Sequence, residues 1–153
     1  MAGRKPILYL MDDFRSQLAA VIDAMVAQGG QPLFVIAFLD GAEQMRAAHG
    51  AESLTKFKQA ATDAVVSATA GADTFTYGDE KIVVILDGGA YDRLKTFALI
   101  QRLRRVIPLL GQSFDCFLRP EFDVLEHNAE VGVGGLIAAL AARPILRDGA
   151  SAA

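Results

Sequence analysis

Residues 74–86, Thr-Phe-Thr-Tyr-Gly-Asp-Glu-Lys-Ile-Val-Val-Ile-Leu, constrain this chain more than any other stretch, because they spell two strand-like runs joined by a tight acidic turn. Apolar and β-branched residues alternate up to Tyr77 and then run unbroken from Ile82 to Leu86, while Gly78 supplies the positive φ that a short hairpin loop requires. Any fold of this chain must accommodate that antiparallel pair.

Composition narrows the setting. With 153 residues, 52% of them hydrophobic, the chain has material for one sizeable core, which excludes disorder of the whole. Its 15 basic and 18 acidic residues give a formal net charge of -3, so no global positive field exists to hold a phosphate backbone, and nucleic acid is not an expected partner. The single Cys116 forms no internal disulfide, and with no cysteine pair or His/Cys cluster there is no structural zinc site; a reducing cytoplasm fits. No apolar run reaches the roughly 18 residues of a membrane span, and the first residues lead into an apolar stretch too short for a signal peptide. A soluble, cytoplasmic protein with no membrane partner is expected.

Along the chain, Asp12 or Asp13 is placed to cap a helix whose Phe14, Leu18, Val21, Ile22, Met25 and Val26 share one face and which ends at Gly29-Gly30. The continuous apolar run at 33–39 suits a strand buried on both faces and central in its sheet, closed by Asp40-Gly41. A short helical segment at 42–49 meets Gly50, and a second helix follows with Leu54, Phe57, Ala61 and Val65 at helical spacing. After the hairpin and Asp87-Gly88-Gly89, a long helix carries Leu94, Phe97, Leu103 and Ile107 and is predicted to stop at Pro108. The order to that point is αβααββα. Beyond it, 113–118, 122–125 and 130–133 are each candidate strands, and 136–142 is a short helix. The sequence predicts an α/β (α+β) domain, a central sheet containing the antiparallel hairpin and covered by helices, over residues 1–146, with 147–153 as a flexible tail.

The hairpin Tyr77-Gly78-Asp79-Glu80-Lys81-Ile82, followed by Val83-Val84-Ile85-Leu86, resembles the Gly-Gly-Asp/Glu-Glu-Phe hairpin of the GGDEF domains, the bacterial diguanylate cyclases with a nucleotide cyclase-like fold. The resemblance extends through element order over about residues 12–107, and it implies that two carboxylates, one from the hairpin and one from the end of the first strand, hold magnesium against the triphosphate. In that register Glu80 takes the metal-binding acidic position, Asp79 replaces the second glycine and Lys81 replaces the catalytic acid. Phe38 falls where the first strand's ligating Asp belongs, with Asp40 at the motif's second Asp; Arg46 and Thr55 fall on the guanine-contacting positions. The RxxD product-binding motif, due near 69–72, is absent, as is the usual late helix signature. The resemblance therefore implies a degenerate cyclase fold without cyclase chemistry.

Each candidate also has a plainer reading. Asp79 and Glu80 also suit the polar tip of a hairpin, and Asp40 suits a cap on the following helix. Gly132-Val133-Gly134-Gly135 fits neither dinucleotide nor P-loop spacing and reads as a turn. Arg102, Arg104 and Arg105 read as a solvated helix face, His49 and His127 as structural or surface residues, and Cys116 as a core residue in a strand.

The reading is an inactive GGDEF-like domain, not an enzyme and with no cofactor, serving bacterial signalling through a protein partner or as a homodimer. The candidate interface residues are Phe14, Leu18, Val21 and Met25 of the first helix and Leu136 and Leu140 of the last. The alternative is a sensor that holds a nucleotide or cyclic dinucleotide with Asp40, Gly78, Asp79, Glu80 and Lys81; Asp40 and Glu80 are its only metal candidates. An active nucleotidyl cyclase is the third reading, in which Lys81 neutralises phosphate charge.

Overall fold

The protein was examined as a computed structural model that describes residues 11–78, 80–126 and 132–142. In chain order these form α1 (Met11–Ala27), β1 (Pro32–Asp40), α2 (Ala42–His49), α3 (Ala51–Ala68), β2 (Asp73–Tyr77), β3 (Lys81–Asp87), α4 (Arg93–Ser113), β4 (Arg119–Glu126) and α5 (Gly132–Ala142). The four strands make one antiparallel sheet in the order β2-β3-β1-β4. Its two inner strands, β1 and β3, are the two unbroken apolar runs, as burial on both faces demands.

Alternation along those strands divides the core in two. Leu33, Val35 and Leu39 of β1, with Val84 and Leu86 of β3, pack against Met45 of α2, Phe57 of α3 and Leu103 of α4. Phe34, Ile36 and Phe38, with Val83 and Ile85, face the other way onto Leu18 and Ile22 of α1 and Leu136 and Ile137 of α5. Helices thus cover both faces of the sheet, and each fully buried large side chain contributes about 1.5–3 kcal/mol relative to exposure. No helix among the described residues is long and apolar enough to cross a membrane.

Several expectations fail locally. Helix α1 begins at Met11, so Asp12 and Asp13 lie inside it and do not precede it as caps. Helix α4 runs five residues past Pro108, because Ile107 and Gly111 on either side are buried in the core and tertiary packing outweighs the single backbone hydrogen bond that proline removes. Residues 113–118 form no strand: α4 ends in a turn and the chain reaches β4 only at Arg119, leaving Cys116 half-buried in the connection with its thiol toward the Gly41 carbonyl. Pro120 lies within β4, which is tolerated because β4 is an edge strand. Gly132-Val133-Gly134-Gly135 belongs to α5 and is not a turn before it; the rest of the strand expected at 130–133, and the tail at 147–153, lie outside the described residues.

The interface expected on α1 and α5 is corrected as well. Leu18 and Leu136 are fully buried against the sheet, and Val21 and Met25 are half-buried on the same core, so these four side chains are turned inward. The side chains of Phe14 and Leu140 lie outside the described residues.

Candidate functional site

Cross-strand register fixes what surrounds the hairpin tip. Tyr77 of β2 pairs with Lys81 of β3, and Lys81 pairs in turn with Phe38 of β1, so the three side chains stand in a row across the sheet. The Lys81 ammonium lies 5.5 Å from the centre of the Tyr77 ring and 5.9 Å from that of Phe38, itself only 1% exposed. Gly78 turns the chain at φ 67°, a conformation glycine adopts without strain. The turn is held from two sides: the Leu39 N–H donates to the Glu80 carbonyl at 2.6 Å, and Lys58 Nζ of α3 donates to the Gly78 carbonyl at 3.2 Å.

A recess of about 190 Å³ opens here, lined by Glu43, Tyr77, Gly78, Glu80 and Lys81. The structure therefore brings together three of the five expected site residues. Asp79 lies outside the described residues. Asp40 does not line the recess; it ends β1 opposite Arg119, and no side chain caps α2, whose N-cap is Gly41. The capping role read for Asp40 is thus not found, and the reason is steric. Gly41 has φ 109°, and a Cβ there would lie 2.8 Å from the Phe117 carbonyl oxygen, so the chain turns on a glycine pressed against the segment before β4. Arg46 and Thr55 are exposed on α2 and α3 and do not line the recess.

Glu43 was not among the sequence candidates. The only signal for it was an acidic residue in the first turn of α2, three positions after Asp40, where it also suits the helix dipole. With Glu80 it supplies two carboxylates, beside the Lys81 ammonium in the lining and the Lys58 ammonium held on the Gly78 carbonyl. Burial pulls the Lys81 amine below its ordinary pKa, and the Glu80 carboxylate partly offsets that shift. Among the described residues no three His, Cys, Asp or Glu side chains are grouped to hold a metal ion.

No family model matches the chain, and no curated protein matches it in sequence. Solved structures do match in shape. A sensory box/GGDEF family protein from Caulobacter crescentus superposes with a TM-score of 0.63 at 17% identity, over 87% of this chain and 88% of that one. The GGDEF domain of DgcB from Caulobacter crescentus, solved in complex with c-di-GMP, gives 0.65 at 10% identity over 90% and 83%. Similarity over 83–90% of the chains compared supports one conclusion about architecture: in fold, the chain is a GGDEF-like domain.

Proposed function

We propose that this protein is a catalytically inactive GGDEF-like domain that serves bacterial signalling through contact with another protein or with a second copy of itself. The observation that carries the reading is the Phe38–Lys81–Tyr77 row. At the two positions where the family resemblance calls for a metal-ligating and a catalytic carboxylate, this chain has cross-strand partners that form a cation–π contact. A ring and an ammonium held together in this way offer no oxygen ligand to a hard divalent cation, and the ammonium repels one.

A further observation supports it. The recess of about 190 Å³ is smaller than the roughly 300 Å³ at which small-molecule pockets begin. The runner-up, a cyclic-dinucleotide sensor, draws on the c-di-GMP bound by the DgcB domain. Against it, residues 69–72 are Thr-Ala-Gly-Ala, with no arginine or carboxylate to grip a phosphate or a guanine.

Incubation of purified protein with GTP and magnesium or manganese is expected to yield no cyclic di-GMP, and calorimetric titration with GTP, ATP and cyclic di-GMP is expected to show no binding heat. Product that disappears in Glu80→Ala would refute inactivity; saturable nucleotide binding would move the reading to the sensor.

A further inference from the structure

A second and larger cavity, of about 900 Å³, lies at the opposite end of the strands from the hairpin tip, where β1 begins and β3 and β4 end against the N-terminal half of α4. Its walls mix apolar and polar residues, and exposed hydrophobic side chains lie at it. Phe97 is 61% exposed on its α4 wall, Val26 and Val124 line it as well, and Leu94, one turn before Phe97 and outside the lining, is 79% exposed. Apolar surface concentrated at one place marks a binding face. Its charges are equally specific. Arg93 stands on the α4 side and Glu126 at the end of β4, and neither makes an ion pair among the described residues. Asp92 is already committed, its carboxylate accepting from the Lys95 N–H at 2.8 Å.

We infer that this groove is a self-association face whose occupant is a second copy of the chain, an inference that rests on the reading that the domain acts through its surface. The patch carries a protruding aromatic ring beside a cavity and, apart from the Asp92 carboxylate that caps α4, one charge of each sign without an ion pair among the described residues, Arg93 and Glu126. A partner of uniform charge satisfies only one of those charges, whereas a two-fold related copy presents Glu126 to Arg93, Arg93 to Glu126, and Phe97 and Leu94 to the cavity. The exposed edge of β4 is a poorer route to the same dimer. Pro120 lacks a donor, and the Val124 N–H is taken by Asp123 Oδ1 at 3.0 Å, so a neighbouring strand finds the ladder interrupted.

Sedimentation equilibrium or light scattering on the full chain is expected to show a dimer at about 100 µM, with Phe97→Asp raising Kd at least about thirtyfold. Arg93→Glu and Glu126→Arg alone are each expected to weaken association about tenfold, since each breaks both symmetric pairs, and the double variant to recover most of that loss. All three substituted positions are exposed, and thermal melts of the variants check that folding is intact. A wild-type monomer at that concentration, a dimer that survives Phe97→Asp, or a double variant no better than the singles would overturn the inference. Those results leave the absence of cyclase activity untouched, while product formation in the GTP assay would overturn the functional reading without bearing on this face.

Discussion

Single residues in this chain do their work through what the backbone makes them face. Asp87 was legible only as turn punctuation before Gly88-Gly89, yet its carboxylate accepts from the Gln31 N–H at 3.1 Å and the Gly89 N–H at 2.9 Å, tying the end of β3 to the loop that starts β1. Those two hydrogen bonds favour the ionised form and hold the carboxyl below its ordinary pKa. The sign follows: the native state binds its proton later than the unfolded chain, so the stabilisation is complete above the unfolded aspartate pKa of about 3.9 and is lost as pH falls through the lower native value. Asp87→Asn keeps an acceptor oxygen but loses the charge. It is expected to melt below the wild type near pH 6, with the gap in Tm narrowing progressively as pH falls below about 4. A gap that stays constant over that range would assign the loss to packing. Lys81 shows how a residue can be legible in identity and not in setting. The charge reversal was visible in the sequence, but its partner Phe38, forty-three positions earlier, became its neighbour only through strand register.

Elements were legible where periodicity and punctuation agreed, and illegible where proline appeared to forbid what packing requires. The sequence marked β1, α2, α3 and the hairpin closely, because an unbroken apolar run, helical spacing and a glycine at each break all point one way. It misplaced the end of α4 and marked only 122–125 of β4, as one of three candidate strands, since both elements contain a proline. In α4, Pro108 removes a hydrogen bond to the Arg104 carbonyl, but Leu103, Ile107 and Gly111 continue the buried stripe, and Gly111 approaches Leu118 closely enough that a Cβ there would lie 2.8 Å from its side chain. The helix persists against its local preference. Pro108→Ala restores the donor and improves helix propensity, so it is expected to raise stability by about 1–2 kcal/mol in urea unfolding; the unfolded-state entropy that proline restricts keeps the gain below the full helix penalty. A loss of stability would mean that the pyrrolidine ring packs better than the methyl that replaces it. Glu43, the site residue that sequence reading missed, belongs to this scale as well: a first-turn acid on α2 is ordinary until the hairpin is folded beside it.

At the scale of the molecule, one sheet carries two unequal cores. The face covered by α2, α3 and α4 buries Ala42, Met45, Leu54, Phe57, Ala61, Val65, Leu99, Leu103 and Ile107 from its helices. Among the described side chains, the face covered by α1 and α5 buries Leu18, Ile22, Leu136 and Ile137 from its helices. Since ordering a residue's backbone costs about 1–2 kcal/mol and each large buried side chain returns about 1.5–3, the layer with fewer buried side chains among those described is expected to be the weaker one. Helices α1 and α5 also pack on each other, so they are expected to open as a unit. Native-state hydrogen exchange is therefore expected to place the opening free energies of α1 and α5 amides at least about 2 kcal/mol below those of β1 and β3. Leu18→Ala, which removes a fully buried side chain at a cost of about 2–5 kcal/mol, is expected to accelerate exchange in both helices together while Val35 and Val84 stay protected. Uniform acceleration across all elements would show instead that the domain unfolds as one cooperative body. A layer that opens independently of the α4 groove leaves the proposed association face intact while it does so, because Val26 is the one groove residue it supplies. The dimer constant is accordingly expected to change little in Leu18→Ala at temperatures where the sheet remains folded.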